Sequence, residues 1–197
     1  ILRELKQLRR VARKSNKKSS FFVDTRSGVD FTALFAEQWN ESLCGSTATR
    51  HLIILHQQEA VLKSLPSQKN GLFLCENQPW EAAFAYAWHK YGHGKLTAVV
   101  HAPIRFWDFR YFTLARALRD NQEHATRKPT PSVVAVNSEI SRSFMEIAQA
   151  PADRILEVES LMFNHLIATS TAGTQKDILL IVGDFFPHLN DRLINLV

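Results

Sequence analysis

From about residue 50 onward, short apolar runs alternate with longer stretches of helical spacing. His51 to Leu65 reads as a helix closed by Pro66 and the polar SQKNG, and GLFLCE follows as a short strand. PWEAAFAYAWHKYG reads as a helix with Pro79 at its start and Gly92 at its end. KLTAVVHA is a second strand and PSVVAVNS, after the proline-bounded RKPTP loop, a third. EISRSFMEIAQA is a helix, RILEVES a fourth strand, and DILLIVGD a fifth that leads into a helix near His188. Strand alternating with helix predicts parallel βαβ units and a Rossmann-like, doubly wound sheet with helices on both faces.

Before residue 50 the pattern is helical. ILRELKQLRRVARK places Ile1, Leu5, Leu8 and Ala12 on one face, and DFTALFAEQWNESL sets Phe31, Leu34, Phe35 and Trp39 at core spacing. The small, polar ATSTAGTQKD reads as an interdomain linker. The expected organisation is a basic helix and linker over residues 1–20, an α/β domain over 21–167, the linker at 168–177, and the start of a second α/β domain over 178–197. On this reading the chain is part of a longer protein.

Composition narrows the class: 45% apolar and 22% charged residues describe an ordinary globular chain. No apolar run reaches the roughly 18 residues a membrane-spanning helix needs, and the charged start does not resemble a signal peptide, so a cytoplasmic location is expected. Cys44 and Cys75 form no CxxC pair and predict two buried thiols.

The net charge of +5 is uneven. Residues 1–20 carry eight Lys/Arg and one Glu, a charge of +7; the other 16 Lys/Arg and 18 acids leave −2 for the rest. The leading helix can pack on its own domain, lie on an anionic membrane surface through residues 1–14, or meet nucleic acid. The acidic body argues against a nucleic-acid groove around the aromatics of HAPIRFWDFRYF, and no nucleic-acid partner is expected.

Ligands of open parallel sheets bind beyond the carboxyl ends of the strands. Those ends offer Glu76, His101, Asn137, Glu157 or Glu159, and Asp184. Glu76 leaves its strand as Pro79 opens a helix; it and Gln78 either satisfy the helix start, or the Glu76 carboxylate faces free backbone N–H groups and serves a sugar hydroxyl or acts as general base. A histidine exchanges protons near neutral pH, so His101 at a strand end is a second candidate base. Trp80, Phe84 and Trp88, spaced by four, read as core. His89 and His93 lack the glutamate of HExxH, and no metal site is expected. GxSxG, GxxxxGK[ST] and GxGxxG are absent.

HAPIRFWDFRYF reads as a strand end followed by a loop. Phe106, Trp107, Phe109, Tyr111 and Phe112 would anchor it, while Arg105, Asp108 and Arg110 form either a local ion-paired knot or direct ligand contacts.

ENQPWE, YGHGKL, HAPIRFWDFRYF, VAVN, VES and the upstream QWNESLCGST, in this order, resemble the bacterial surface-carbohydrate-biosynthesis proteins, glycosyltransferases of capsule and O-antigen gene clusters. Three departures stand out: Ala102–Pro103 in place of Ser-Thr, Ser138 in place of glycine, and SLMFNH in place of an A-L-R-Y segment.

The resemblance implies the N-terminal, acceptor-side domain of a two-domain GT-B-like enzyme that moves a sugar from a nucleotide sugar to a lipid-linked glycan. It implies the cytoplasmic membrane face and, since helix dipoles and basic side chains offset the leaving phosphate, no cofactor or metal. The resemblance assigns no residue roles; the strand-end reading makes Glu76 or His101 the base with Asp108 in reserve, has Arg105 or Arg110 pair with an anionic group, and has Gln78, Asn137, Glu159 and Asp184 bind substrate. A non-catalytic sugar- or nucleotide-binding scaffold of the same pathway is the alternative that the departures support.

Overall fold

The computed structural model describes residues 1–15, 23–24, 26–105, 108–120, 128–159, 191 and 195. The chain divides into two compact units, Ile1–Ser160 and Leu161–Val197. The expected linker at 168–177, the fifth strand and Asp184 lie outside the described residues.

The first unit is mixed α/β. Three helices, α1 (Leu2–Ser15), α2 (Thr32–Cys44) and α3 (Ser46–Ser64), precede β1 (Asn70–Leu74), α4 (Pro79–Lys90), β2 (Lys95–Val99), α5 (Arg110–Asp120), β3 (Val133–Val136), α6 (Glu139–Ile147) and β4 (Ile155–Glu157). The four strands form one all-parallel sheet in the order β1-β2-β3-β4. The first four sequence-predicted strands are all present; α5 was not foreseen, because the loop reading of HAPIRFWDFRYF ran to Phe112 whereas the helix starts at Arg110.

Register and alternation divide the sheet into two faces. Phe73, Ala98, Val134 and Ile155 pair across the four strands, and Cys75, Val100 and Val136 share their face. Against this face pack Tyr111, Ala115 and Leu118 of α5 and Met145 of α6, while Ala85 and Trp88 of α4 cover Leu96 with Leu62 of α3. Leu96, Leu118, Met145, Val100, Val134 and Val136 are all under 2% exposed. At about 1.5–3 kcal/mol for each large buried side chain, this layer outweighs exposed pairs such as Arg142–Glu146, worth about 0.5 kcal/mol.

The opposite face carries the rows Leu72, Thr97, Val133 and Leu74, Val99, Ala135, Leu156. Leu72, Leu74 and Leu156 are 72%, 56% and 49% exposed. Ala135 on this same face is 3% exposed, and among the described residues α4, α5 and α6 pack on the first face. Among the described strands the order does not reverse, and crossovers of one hand that step in one direction put α4, α5 and α6 on the same side.

A correction concerns α2. Leu34 and Phe35 are 64% and 45% exposed, Phe31 just before the helix is 40% exposed, and no α2 residue is buried. Helix α2 packs beside α1 and α3, and Phe31, Leu34 and Phe35 of the core-spaced stripe remain exposed.

The GHG turn is structural. Gly92 ends α4 with φ +70, and a Cβ on Gly94 would fall 2.2 Å from the Lys69 carbonyl oxygen. His93, 7% exposed, accepts from the Gln68 N–H through Nδ1 at 3.1 Å, which leaves Nε2 to donate to the Leu62 carbonyl at 3.0 Å. His89 bonds the Thr130 carbonyl instead.

Candidate functional site at the carboxyl edge of the sheet

Leu74, Val99 and Ala135 are paired partners, so two residues further on Glu76, His101 and Asn137 occupy one row just beyond the strands. The ladder persists toward that edge, with Val100 N–H donating to the Ala135 carbonyl and Val158 N–H to that of Val136, both at 2.9 Å. Neighbouring strands lie about 4.8 Å apart. Three of the candidates taken separately from strand ends thus become neighbours, and the Glu76 Oε1 to His101 Nε2 distance is 3.5 Å. Both side chains are roughly half exposed, at 49% and 44%. The arrangement supplies a carboxylate and an imidazole in mutual reach and open to solvent, as proton exchange with a bound hydroxyl requires.

Glu76 does not, however, face free N–H groups of the α4 start. The turn just before α4 is instead held by Glu81, to which the sequence assigns no role at the site. Its Oε1 accepts from the Glu76 N–H at 2.7 Å and from the Gln78 N–H at 2.9 Å, and the residue is 7% exposed. Proline at the first helical position with glutamate two residues later was the available signal. Gln78 is the N-cap of α4 and closes a capping box with Glu81, so it satisfies the helix start.

Asn137 is anchored from the other side. Its Oδ1 accepts from Ser141 Oγ at 3.2 Å, and Ser138 caps α6 by accepting from the Ser141 N–H at 3.1 Å. Ile104 N–H reaches the same Ser141 hydroxyl at 3.5 Å, so a serine that is 1% exposed joins the loop after His101 to the loop after β3. Ser138, one of the departures from the family pattern, is here a helix cap with its own structural reason.

Arg110 forks onto Asp108, with Nε to Oδ1 at 2.8 Å and Nη2 to Oδ2 at 2.7 Å, and its Nη1 donates to the Glu76 carbonyl at 3.2 Å. One guanidinium thereby ties the loop after β2 to the end of β1. The hydrogen-bonded Arg110 holds the Asp108 carboxyl below the usual carboxylate range, with Arg105 adding a smaller effect, while Asp108 raises Arg110 in turn. Asp108 is consequently committed to Arg110 rather than waiting as a reserve base.

Because the folded value is depressed, the fork's contribution to stability is complete above the ordinary aspartate range. It is lost as pH falls through the lowered value. Asp108→Asn is therefore expected to destabilise the protein at pH 7 and to match wild type in strong acid, as measured by thermal unfolding across pH. An equal difference at all pH values would contradict the fork's role.

Tyr111, 6% exposed, donates to the Cys75 carbonyl at 3.2 Å, and burial pushes its phenol up. Burial, and then the Glu81 carboxylate, push the Cys75 thiol up to about 12, which makes it packing rather than a nucleophile. Phe109 departs from the anchoring expectation: it is 62% exposed, with its ring 6.0 Å from that of Phe112. Phe106 and Trp107 lie outside the described residues. Arg105 and Glu159 are exposed, and no described hydrogen bond brings either side chain into the row.

Along α1, Arg3, Lys6, Arg9, Arg10, Arg13 and Lys14 are exposed, whereas Leu5 and Leu8 are half-buried and Ala12 is buried as the helix packs on α2 and α3. No helix among the described residues is long and apolar enough to cross a membrane. Among those residues no three His, Cys, Asp or Glu side chains group as a metal-ligand set.

Fold and edge together define a Rossmann-like α/β protein with a carboxylate–imidazole–amide row at the carboxyl end of its sheet. No protein-family profile matches the chain, and neither a curated protein nor a solved structure matches it.

Proposed function

We propose that this protein is a glycosyltransferase of surface-polysaccharide or lipopolysaccharide synthesis, with the first unit as the acceptor-side domain of a GT-B-like enzyme. The observation that supports the reading is the Glu76–His101 pair at 3.5 Å in one row with Asn137. These residues also belong to the motifs that resemble the surface-carbohydrate family.

In the proposed reaction the pair takes the proton of an acceptor hydroxyl as its oxygen bonds the anomeric carbon of the donor sugar, and the nucleotide leaves with the bonding electrons. Asn137 orients the acceptor, and Arg110 holds the loop that frames it. Arg105 and Glu159 are exposed and available to substrate. Neither metal nor cofactor is invoked. The six exposed cations of α1 would hold the protein at the anionic cytoplasmic face of the membrane by charge, since part of the helix's apolar face is spent on α2 and α3.

The test is a thermal-shift panel of nucleotide sugars and free nucleotides on the intact protein that carries this sequence. A donor present at a hundred times its Kd should add about 2.7 kcal/mol of stability, and a glycan acceptor should then release free nucleotide. Stabilisation by glycans alone would replace the enzyme with the scaffold reading. No stabilisation by any nucleotide sugar would remove the proposal.

A further inference from the structure

The two ends of the sheet carry different chemistry. At the amino ends of β2, β3 and β4 lies a cleft of about 950 Å³, at the upper end of the range of small-molecule sites. Lys95 opens β2, Val133 opens β3 and Arg154 directly precedes β4, while α4 contributes Tyr86, His89 and Lys90. Lys128 and Thr130, from the loop before β3, also line it. Successive strand residues rise about 3.3 Å, so His101, further along the chain from Lys95, stands about 20 Å away at the opposite edge.

Four cations line the cleft, Lys90, Lys95, Lys128 and Arg154, beside one carboxylate, Asp153. With Glu59, which pairs with Lys90, four cations meet two acids, and the local charge is +2 in a body, residues 21–197, whose charge is −2. The last turn of α4 favours a cation, which accounts for Lys90. It does not account for Lys95, Lys128 and Arg154, which come from other segments. Two of the cations are held in place. The Lys90 ammonium is paired with Glu59 and lies 5.4 Å from the centroid of the Tyr86 ring, and Arg154 Nη1 donates to the Ser132 carbonyl at 3.1 Å. Ser132 is in turn fixed to β2, its N–H donating to the Leu96 carbonyl at 2.7 Å and its hydroxyl accepting from the Leu96 N–H at 3.1 Å. Lys95 is exposed, and no ion pair among the described residues engages its ammonium.

We infer that this amino-edge cleft binds a small, soluble phosphate-bearing anion with at least two negative charges, its phosphate oxygens on Lys95 and Arg154. Lysine and arginine give phosphate charge-assisted hydrogen bonds, and a cleft of one sign of charge concentrates ions of the other. A local charge of +2 matches a phosphate monoester or a diphosphate better than a single carboxylate. The inference goes beyond sugar transfer and does not depend on it, because a ligand here is out of reach of the Glu76, His101 and Asn137 row.

The probe is inorganic pyrophosphate, titrated calorimetrically into the intact protein that carries this sequence. One saturable site is expected, at least about tenfold tighter than for inorganic phosphate, since the second phosphoryl group reaches a second cation. Raising sodium chloride from about 0.05 to about 0.5 M should weaken it several-fold by screening. Lys95→Glu starts from an exposed position and should weaken pyrophosphate at least about tenfold while leaving the unfolding midpoint unchanged. Arg116→Glu makes the same change of net charge on an exposed position of α5 outside the cleft, and should leave affinity within about twofold. Absence of saturable binding would overturn the inference. So would equal affinity of Lys95→Glu and wild type, the result expected if pyrophosphate collects on the cations of α1. If Lys95→Glu loses retention on phosphatidate vesicles while soluble pyrophosphate fails to bind the wild type, a lipid headgroup occupies the cleft and the soluble ligand is refuted. Because nucleotide-sugar stabilisation is read separately, each outcome leaves the sugar-transfer test standing.

Discussion

Glu81→Ala is expected to lower the stability of the Ile1–Ser160 unit by about 2–4 kcal/mol, more than loss of an ordinary helix cap. Helix α4 begins with Pro79, which removes one of the unpartnered donors of a first turn, and Glu81 supplies an acceptor just upstream. Its Oε1 takes both the Glu76 and the Gln78 N–H, and hydrogen bonds to a charged acceptor contribute about 1.5–3 kcal/mol each. The carboxylate is also placed near the positive end of the α4 dipole. Deleting it leaves two poorly solvated donors in a turn that already contains left-handed Asn77. Glu81→Gln retains an amide oxygen of the same reach and should lose less than half as much. Urea unfolding of the two variants decides the matter: an alanine variant within about 0.5 kcal/mol of wild type would show that solvent satisfies the turn, and that Glu76 is placed by something else.

The prediction bears on the site because Glu81 fixes Glu76 by its backbone and leaves the Glu76 side chain to His101. That division was not readable from ENQPWE. The sequence places two glutamates and a glutamine around one proline, and which of them turns inward depends on the sheet and α5 closing over the turn. Strand ends were readable, because an apolar run of a buried parallel strand stops where polar residues begin. Their mutual register was not: a slip of one residue would send Glu76 to the opposite face from His101. Helix α5 was hidden by its own composition. Tyr111, Ala115 and Leu118 carry the helical period that buries it, but the aromatics of the preceding loop run directly into them and give one undivided cluster.

Strand order lay beyond the sequence for a related reason. Alternating strands and helices determine that crossovers exist, but the direction of each step depends on which edge of the growing sheet is better covered. Here every step goes the same way, so among the described strands no reversal opens the crevice that doubly wound sheets use. Among the described residues, the row is framed by the loops that follow the strands. This is why Ser141, which joins the loops after β2 and β3, and Arg110, which ties the loop after β2 to the end of β1, matter to a site neither of them would chemically serve.

His101→Ala is expected to reduce kcat for sugar transfer by about 10²–10⁴, the range a general base contributes, with KM little changed. His101 occupies the central strand end of the row, between Glu76 and Asn137, and is the group that a hydroxyl bound over the middle of the edge would reach. Glu76 lies 3.5 Å from its Nε2, within reach to orient the ring. Glu76→Gln should therefore cost less, about tenfold. The two residues acting as one unit predicts non-additivity: the double variant should be no slower than His101→Ala alone. If Glu76→Gln is instead the slower single variant, the carboxylate is the base and the imidazole its positioning partner. Full transfer by both folded single variants would take the proton acceptor away from this edge of the sheet altogether.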